Sequence, residues 1–172
     1  ITKIASTVPI LMKMVDEGDL NLDDELGRYL ELDSTNKEYL IIREILAHQA
    51  GLYPWIPFYQ QTLVKDSVSG LMQLRDTLYS EEFSKKFPFK VSDDIYLHYS
   101  YPDSIIKQII ASELLEKKEY RYSDLGYYLL KQIIEDKYGT SISKIASNNF
   151  YTKIGMENLG YLPLVRLIED RI

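Results

Sequence analysis

Cysteine is absent from these 172 residues, which excludes disulfides, thiolate metal sites and cysteine nucleophiles together. Histidine is scarce: His48 and His98 are too few for the usual zinc set unless carboxylates complete it, so neither a metal nor a cofactor is expected. Positive charge is in deficit, with 20 Lys and Arg against 26 Asp and Glu and a net charge of -6. That speaks against nucleic acid and anionic membrane as partners, because both are held by clustered Lys and Arg that displace phosphate counterions. No apolar run approaches the roughly twenty residues of a membrane span, and no signal peptide is visible. What remains is ordinary globular composition, 45% hydrophobic and 27% charged, enough for one sizeable core and a single domain over residues 1–172. The opening on Ile1 and the stop at Ile172 within a mixed apolar and charged run are the pattern expected of a segment of a longer protein.

Apolar spacing makes the segment mainly α. Ile4, Val8, Leu11, Met12 and Val15 recur three and four apart, predicting a helix over 2–17 closed by Gly18. A short helix from Asp23 carries Leu26, Tyr29 and Leu30, and Ile41, Ile42, Ile45 and Leu46 mark the next, stopped by Gly51. Two prolines forbid regular structure over 53–59. A broken helical pattern surrounds Gly70 over 63–78, and 85–91 reads as loop or a short edge strand. Proline in the first turn opens a helix at 101–103; Ser123 caps a helix over 125–138 that Gly139 stops, and Thr140 or Ser141 caps another over 142–153 that Gly155 stops. No strong strand alternation and no repeat emerges.

Thr2-Lys3 at the head of the first helix reads as the remainder of a Ser-x-x-Lys motif whose serine directly precedes Ile1. The spacing is the mechanism: residues three apart share a helix face, so the amine sits beside the hydroxyl it deprotonates. Lysine serves as a base only where burial or a neighbouring cation lowers its pKa. The motif alone is unspecific. Three complete copies occur, at Ser34/Lys37, Ser104/Lys107 and Ser141/Lys144, against about one expected by chance at this composition, and each reads as a turn or helix-capping serine.

Lys3 differs from those three in its downstream sequence. Pro9-Ile10-Leu11-Met12, Val15-Asp16-Glu17-Gly18-Asp19-Leu20, Tyr29-Leu30, Leu46-Ala47-His48-Gln49-Ala50-Gly51-Leu52 and Tyr122-Ser123-Asp124-Leu125-Gly126 resemble the serine β-lactamase and penicillin-binding-protein-like hydrolases, nearest the class C-like branch. Trp55-Ile56-Pro57-Phe58-Tyr59 and Tyr120-Arg121-Tyr122 further resemble the hydrolase domains that some Bacteroidetes fuse to a β-N-acetylglucosaminidase. The resemblance implies the helical lobe of an α+β fold whose antiparallel sheet lies outside this stretch. It also implies a third motif, Lys-Thr-Gly or His-x-Gly, which these residues do not contain.

Each candidate residue has a structural competitor. Lys3 could be a solvated lysine, although the helix dipole disfavours a cation in a first turn; the resemblance makes it the general base. Tyr122 could be one of fifteen tyrosines packing a ring, and the resemblance makes it the second proton-relay group. Asp124 stands where the family usually has Asn. A carboxylate only accepts and would hold Lys3 charged, opposing its use as a base, or Asp124 could merely favour the helix dipole. His48 looks catalytic but matches a histidine that packs structurally in the family, and is left out of the catalytic set; His98 carries no motif. Trp55 and Tyr59, on the proline-fixed loop 53–59, either fill a buried loop or form the substrate-stacking rim of a cleft.

The resulting expectation is part of a serine hydrolase working through an acyl-enzyme on an amide or ester, with a small-molecule, peptide or peptidoglycan-derived substrate and an extracytoplasmic location, itself inactive because the serine precedes residue 1. The competing reading is a non-catalytic module that binds cell wall or a protein partner through 53–59.

Overall fold

The computed structural model describes residues 1–156 and 158–161. Its centre is α4 (Leu125–Tyr138), whose Leu125, Leu129, Leu130, Ile133 and Ile134 are all buried. Around it pack α1 (Val8–Asp16), α2 (Ile42–Leu46), α3 (Tyr101–Ala111) and α5 (Ile142–Ala146), contributing Ile10, Leu11, Met14, Ile42, Ile45, Ile109, Ile142 and Ile145 to one continuous core. Burying an aliphatic side chain of this size is worth about 1.5–3 kcal/mol, so this cluster dominates the stability of the helical layer. Gly126 permits its closest approach: a Cβ there would sit 2.4 Å from Ile45 Cγ2 and 3.0 Å from Leu52 Cδ1.

The first helix spans the expected residues but not with one geometry. Lys3–Thr7 forms a π-helical turn, with the Val8 N–H donating to the Lys3 carbonyl, before regular α1 begins. Its apolar face is also only part-covered. Ile10, Leu11 and Met14 are buried, whereas Ile4, Met12 and Val15 remain exposed. The second predicted helix shrinks to a 3₁₀ turn at Leu26–Arg28, held by the Tyr29 hydroxyl donating to Asp24 at 2.6 Å. Over 142–153 the helix runs from α5 into a π turn at Ser147–Tyr151 and a 3₁₀ turn at Thr152–Ile154, and Gly155 ends it with φ 71°.

The broken helix expected over 63–78 is a correction. This stretch is a β-hairpin of β1 (Leu63–Lys65) and β2 (Met72–Leu74), followed by β3 (Tyr79–Ser80). Beyond it, β3 pairs antiparallel with β5 (Ile95–Leu97), which pairs with β4 (Phe89–Ser92). Of the two readings of 85–91, loop or short edge strand, the structure has loop followed by β4, an edge strand of this three-stranded sheet. Three-residue strands with little buried surface show no alternation for a sequence reading to detect. The turn itself is well specified: the Asp66 carboxylate accepts the N–H groups of Val68 and Ser69 at 3.2 and 2.6 Å, and Gly70 adopts φ 72°.

Candidate active site

Lys3 enters from the π turn, and Tyr122 and Asp124 from the turn that leads into α4. Lys3 Nζ donates to the Tyr122 hydroxyl at 2.6 Å and to the Asp124 carboxylate, with which it is ion-paired. The ammonium also lies 4.5 Å from the Tyr122 ring centroid and 5.1 Å from that of Tyr127, within cation–π range. All three candidate catalytic residues are thus brought together.

The turn that presents Tyr122 is tied down on both sides. The Arg121 N–H donates to the His48 carbonyl at 2.9 Å, and the Ser123 N–H donates to His48 Nδ1 at 3.2 Å. The Ser123 hydroxyl donates to the Tyr53 carbonyl at 2.6 Å and accepts the Leu125 N–H at 3.1 Å. Ser123 does satisfy the first amide of α4, through an i to i+2 contact, while Asp124 holds the N-cap position. The Asp124 N–H donates to the Pro54 carbonyl at 2.9 Å. The root of loop 53–59 is therefore stitched to the Tyr122–Asp124 turn.

Burial works to lower the Lys3 pKa, but the hydrogen bonds to Asp124 and Tyr122 and the Asp124 charge outweigh it and hold the ammonium above the usual lysine value. The His48 pKa is lowered, by burial first and by the Lys3 charge second. Burial likewise raises the Tyr127 pKa, with Lys3 opposing.

A cavity of about 350 Å³ opens beside Lys3, lined by Thr2, Thr7, Asp124, Tyr127, Tyr128 and Lys131 among others. Sequence reasoning passed over Tyr127, Tyr128 and Lys131. The signal was available, since Asp124, Tyr127, Tyr128 and Lys131 follow i, i+3, i+4 and i+7 and so share one face of α4. Trp55 and Tyr59 do not line this cavity. Both are exposed, at 58% and 57%, and Phe58 between them stacks edge-on against Tyr128 at 5.9 Å.

None of the complete Ser-x-x-Lys copies has its serine against its lysine. Ser34 sits in a turn at φ 63°, the Ser104 hydroxyl donates to the Ser100 carbonyl within the helix, and the Ser141 hydroxyl meets that of Ser143. Lys37 is wholly buried and serves the fold instead, its ammonium donating to Asn36 Oδ1 at 2.7 Å and to the Ser112 carbonyl at the end of α3. It thereby satisfies an orphan carbonyl of a helix C-terminus. Burial pulls its pKa down to about 8, with Glu113 opposing. His98 is local, its Nδ1 2.9 Å from the Ser100 hydroxyl. Among the described residues no group of His, Asp and Glu is placed to hold a metal ion, and no helix is long and apolar enough to cross a membrane.

A helical layer presenting lysine, tyrosine and carboxylate beside a cavity belongs to the serine β-lactamase and penicillin-binding-protein fold, of which this chain forms the helical lobe. The chain is a member of the Beta-lactamase family, whose model matches residues 1–164. It is 27% identical over 172 residues to an Escherichia coli (strain K12) protein named "Putative D-alanyl-D-alanine carboxypeptidase", covering 96% of this chain and 33% of that one. It is 25% identical over 152 residues to the teichoic acid D-alanine hydrolase of Staphylococcus aureus, covering 87% and 28%. A β-lactamase/D-alanine carboxypeptidase from Yersinia pestis superposes with TM-score 0.58 at 18% identity, over 98% of this chain and 42% of the other. The chain thus spans about a third of the length of the curated relatives it matches.

Proposed function

We propose that this chain supplies the proton-relay half of a serine hydrolase that works through an acyl-enzyme on D-alanyl amides or esters of the cell envelope. The observation that carries the reading is the contact of Lys3 Nζ with both Tyr122 and Asp124 across 119 and 121 positions of sequence. The two curated relatives support the substrate class, since both are named for D-alanine chemistry. They also support an extracytoplasmic location.

In this reading the nucleophile is a serine immediately before Ile1, one helical turn from Lys3. Neutral Lys3 takes the hydroxyl proton as the serine oxygen bonds to the acyl carbon. As the acyl carbon releases its amine or alcohol, the proton reaches that leaving group through the Tyr122 hydroxyl, 2.6 Å from Nζ. Water then cleaves the ester and restores the serine. The pair with Asp124 favours the ammonium, so deprotonating Lys3 is the step the enzyme must make easier on binding substrate. Trp55 and Tyr59, exposed outside the cavity, offer an aromatic rim to a part of the substrate that extends past it, on a loop whose root is bonded to Ser123 and Asp124 through the carbonyls of Tyr53 and Pro54.

The test is to sequence the gene across Ile1 and to offer the complete gene product a D-alanyl ester. A serine codon directly before Ile1 and a trapped D-alanyl-enzyme at that serine are expected. Another residue there would overturn the reading. A fused β-N-acetylglucosaminidase is proposed from the resemblance of 55–59 and 120–127, and the same gene sequence decides it.

A further inference from the structure

The proposed relay assigns no role to His48, although its side chain packs directly against Tyr122 and Tyr127. Its ring lies 4.5 Å from that of Tyr122 at 37°, 5.5 Å from Tyr127 at 30° and 6.2 Å from Tyr120 edge-on. Its carbonyl accepts the Arg121 N–H and its Nδ1 accepts the Ser123 N–H, so one residue clamps both backbone neighbours of Tyr122. Its backbone stands at φ 57°, a left-handed conformation that among non-glycine residues is taken mostly by Asn, Asp and His, and which turns the chain so that carbonyl and ring face the same segment.

We infer that His48 is a positioning residue: as a neutral ring carrying its proton on Nε2, it fixes the Tyr122 hydroxyl at Lys3, and its protonation releases the Tyr122–Asp124 turn. The catalytic meaning of this role rests on the proposed functions of Lys3 and Tyr122; its geometry does not.

Nδ1 accepts an N–H only when it bears no proton, so the Ser123 bond and the doubly protonated imidazolium exclude each other. Protonation would leave the Ser123 N–H facing another N–H, in a residue only 4% exposed, and would place a second cation near the Lys3 ammonium. The groups facing the ring are Lys3 from the π turn, Tyr120, Tyr122 and Asp124 from the segment before α4, and Tyr127 from α4 itself. On α2, the helix just before it, Glu44 is engaged by Lys118 and Arg43 by Asp23. Asp124 favours the imidazolium, while burial and Lys3 oppose it more strongly and keep the ring neutral to lower pH than an exposed histidine.

Two variants separate positioning from bulk packing. His48→Asn keeps an acceptor near the Nδ1 position and tolerates φ 57°, but does not titrate; His48→Gly relieves the backbone and removes acceptor and ring together. The experiment is NMR of the 172-residue chain with labelled histidine and tyrosine, followed from pH 8 to pH 4.5. In the wild type, His48 is expected to show the Nε2–H tautomer at pH 8, the Ser123 amide to be protected from exchange by at least tenfold relative to its Gly variant, and the Tyr122 ring and Ser123 amide to shift with the same midpoint as His48, below 6.5. In His48→Asn the protection is expected to persist and that transition to vanish, which also sets aside any carboxylate titration because every carboxylate is retained. An Nδ1–H tautomer at pH 8, a His48 titration that leaves Tyr122 and Ser123 unmoved, or the same transition persisting in His48→Asn would each overturn the inference. None of these outcomes depends on whether the chain belongs to a working hydrolase.

Discussion

Lys3 Nζ donates a 2.6 Å hydrogen bond to the Tyr122 hydroxyl, joining residues 119 positions apart, and the same ammonium pairs with Asp124. A lysine, a phenol and a carboxylate thereby share one hydrogen-bonded centre. As the site stands, its proton sits on lysine, which is the wrong state for a base and the right one for a store of leaving-group protons.

Replacing the carboxylate relieves that conflict. Asp124→Asn keeps the shape but removes the charge that helps hold Lys3 protonated. Acylation of the complete gene product is expected to rise near neutral pH, since a lower lysine pKa leaves more free base. Its rate should also reach its plateau at lower pH than in the wild type. Pre-steady-state acylation against pH checks this; an unchanged or slower rate with the same apparent pKa would mean that Asp124 is not what holds Lys3 protonated, and a slower one that it aims Lys3 or binds substrate.

Removing the Ser123 hydroxyl orphans two backbone groups, the Tyr53 carbonyl and the Leu125 N–H, at a buried position. Ser123→Ala is expected to destabilise the chain by about 1–3 kcal/mol, the cost of unsatisfied buried polar groups. Urea unfolding measures it, and Ser123→Thr should recover part of the loss.

Gly126→Ala forces a Cβ to within 2.4 Å of Ile45 Cγ2. The α2 to α4 contact must open, at about 1–3 kcal/mol for an overpacked core, and the turn carrying Tyr122 should move with it. Denaturant midpoints of the wild type and Gly126→Ala, read together with Tyr122 ring shifts, test both consequences.

Alkaline pH should reveal Lys37. Its native pKa of about 8 lies below the unfolded value of 10.5, so the native state sheds this proton first. Between those values the unfolded chain binds more protons, and the Lys37 contribution to stability rises with pH; below pH 8 both states carry the proton and the contribution is flat. The difference in unfolding free energy between wild type and Lys37→Met should therefore shift in favour of wild type from pH 8 to 10. A pH-independent difference would show that the buried amine titrates normally.

Legibility followed burial. The helices of the core could be read because Leu125, Leu129, Ile133 and their partners keep the 3.6-residue period that burial against neighbours imposes. The 63–78 stretch could not, because its strands are short and mostly exposed, and the spacing of Val64, Val68 and Leu71 mimics a helix. Lys3, Tyr122 and Asp124 are legible through the family resemblance rather than through spacing, as no local pattern links positions 3 and 122. The motif around His48 gives its place at a helix end, but only the fold shows its ring against Tyr122.

The most direct measurement is covalent labelling of the complete gene product by a serine-reactive fluorescent acylating agent, with the modified residue located by mass spectrometry in wild type, Lys3→Ala and Tyr122→Phe. The expected result is one adduct, on the residue immediately before Ile1, slowed at least a hundredfold by Lys3→Ala, within the usual range for loss of a general base, and more modestly by Tyr122→Phe. An adduct on a serine within residues 1–172, or labelling that survives Lys3→Ala undiminished, would contradict the assignment of Lys3 and Tyr122 as the proton relay.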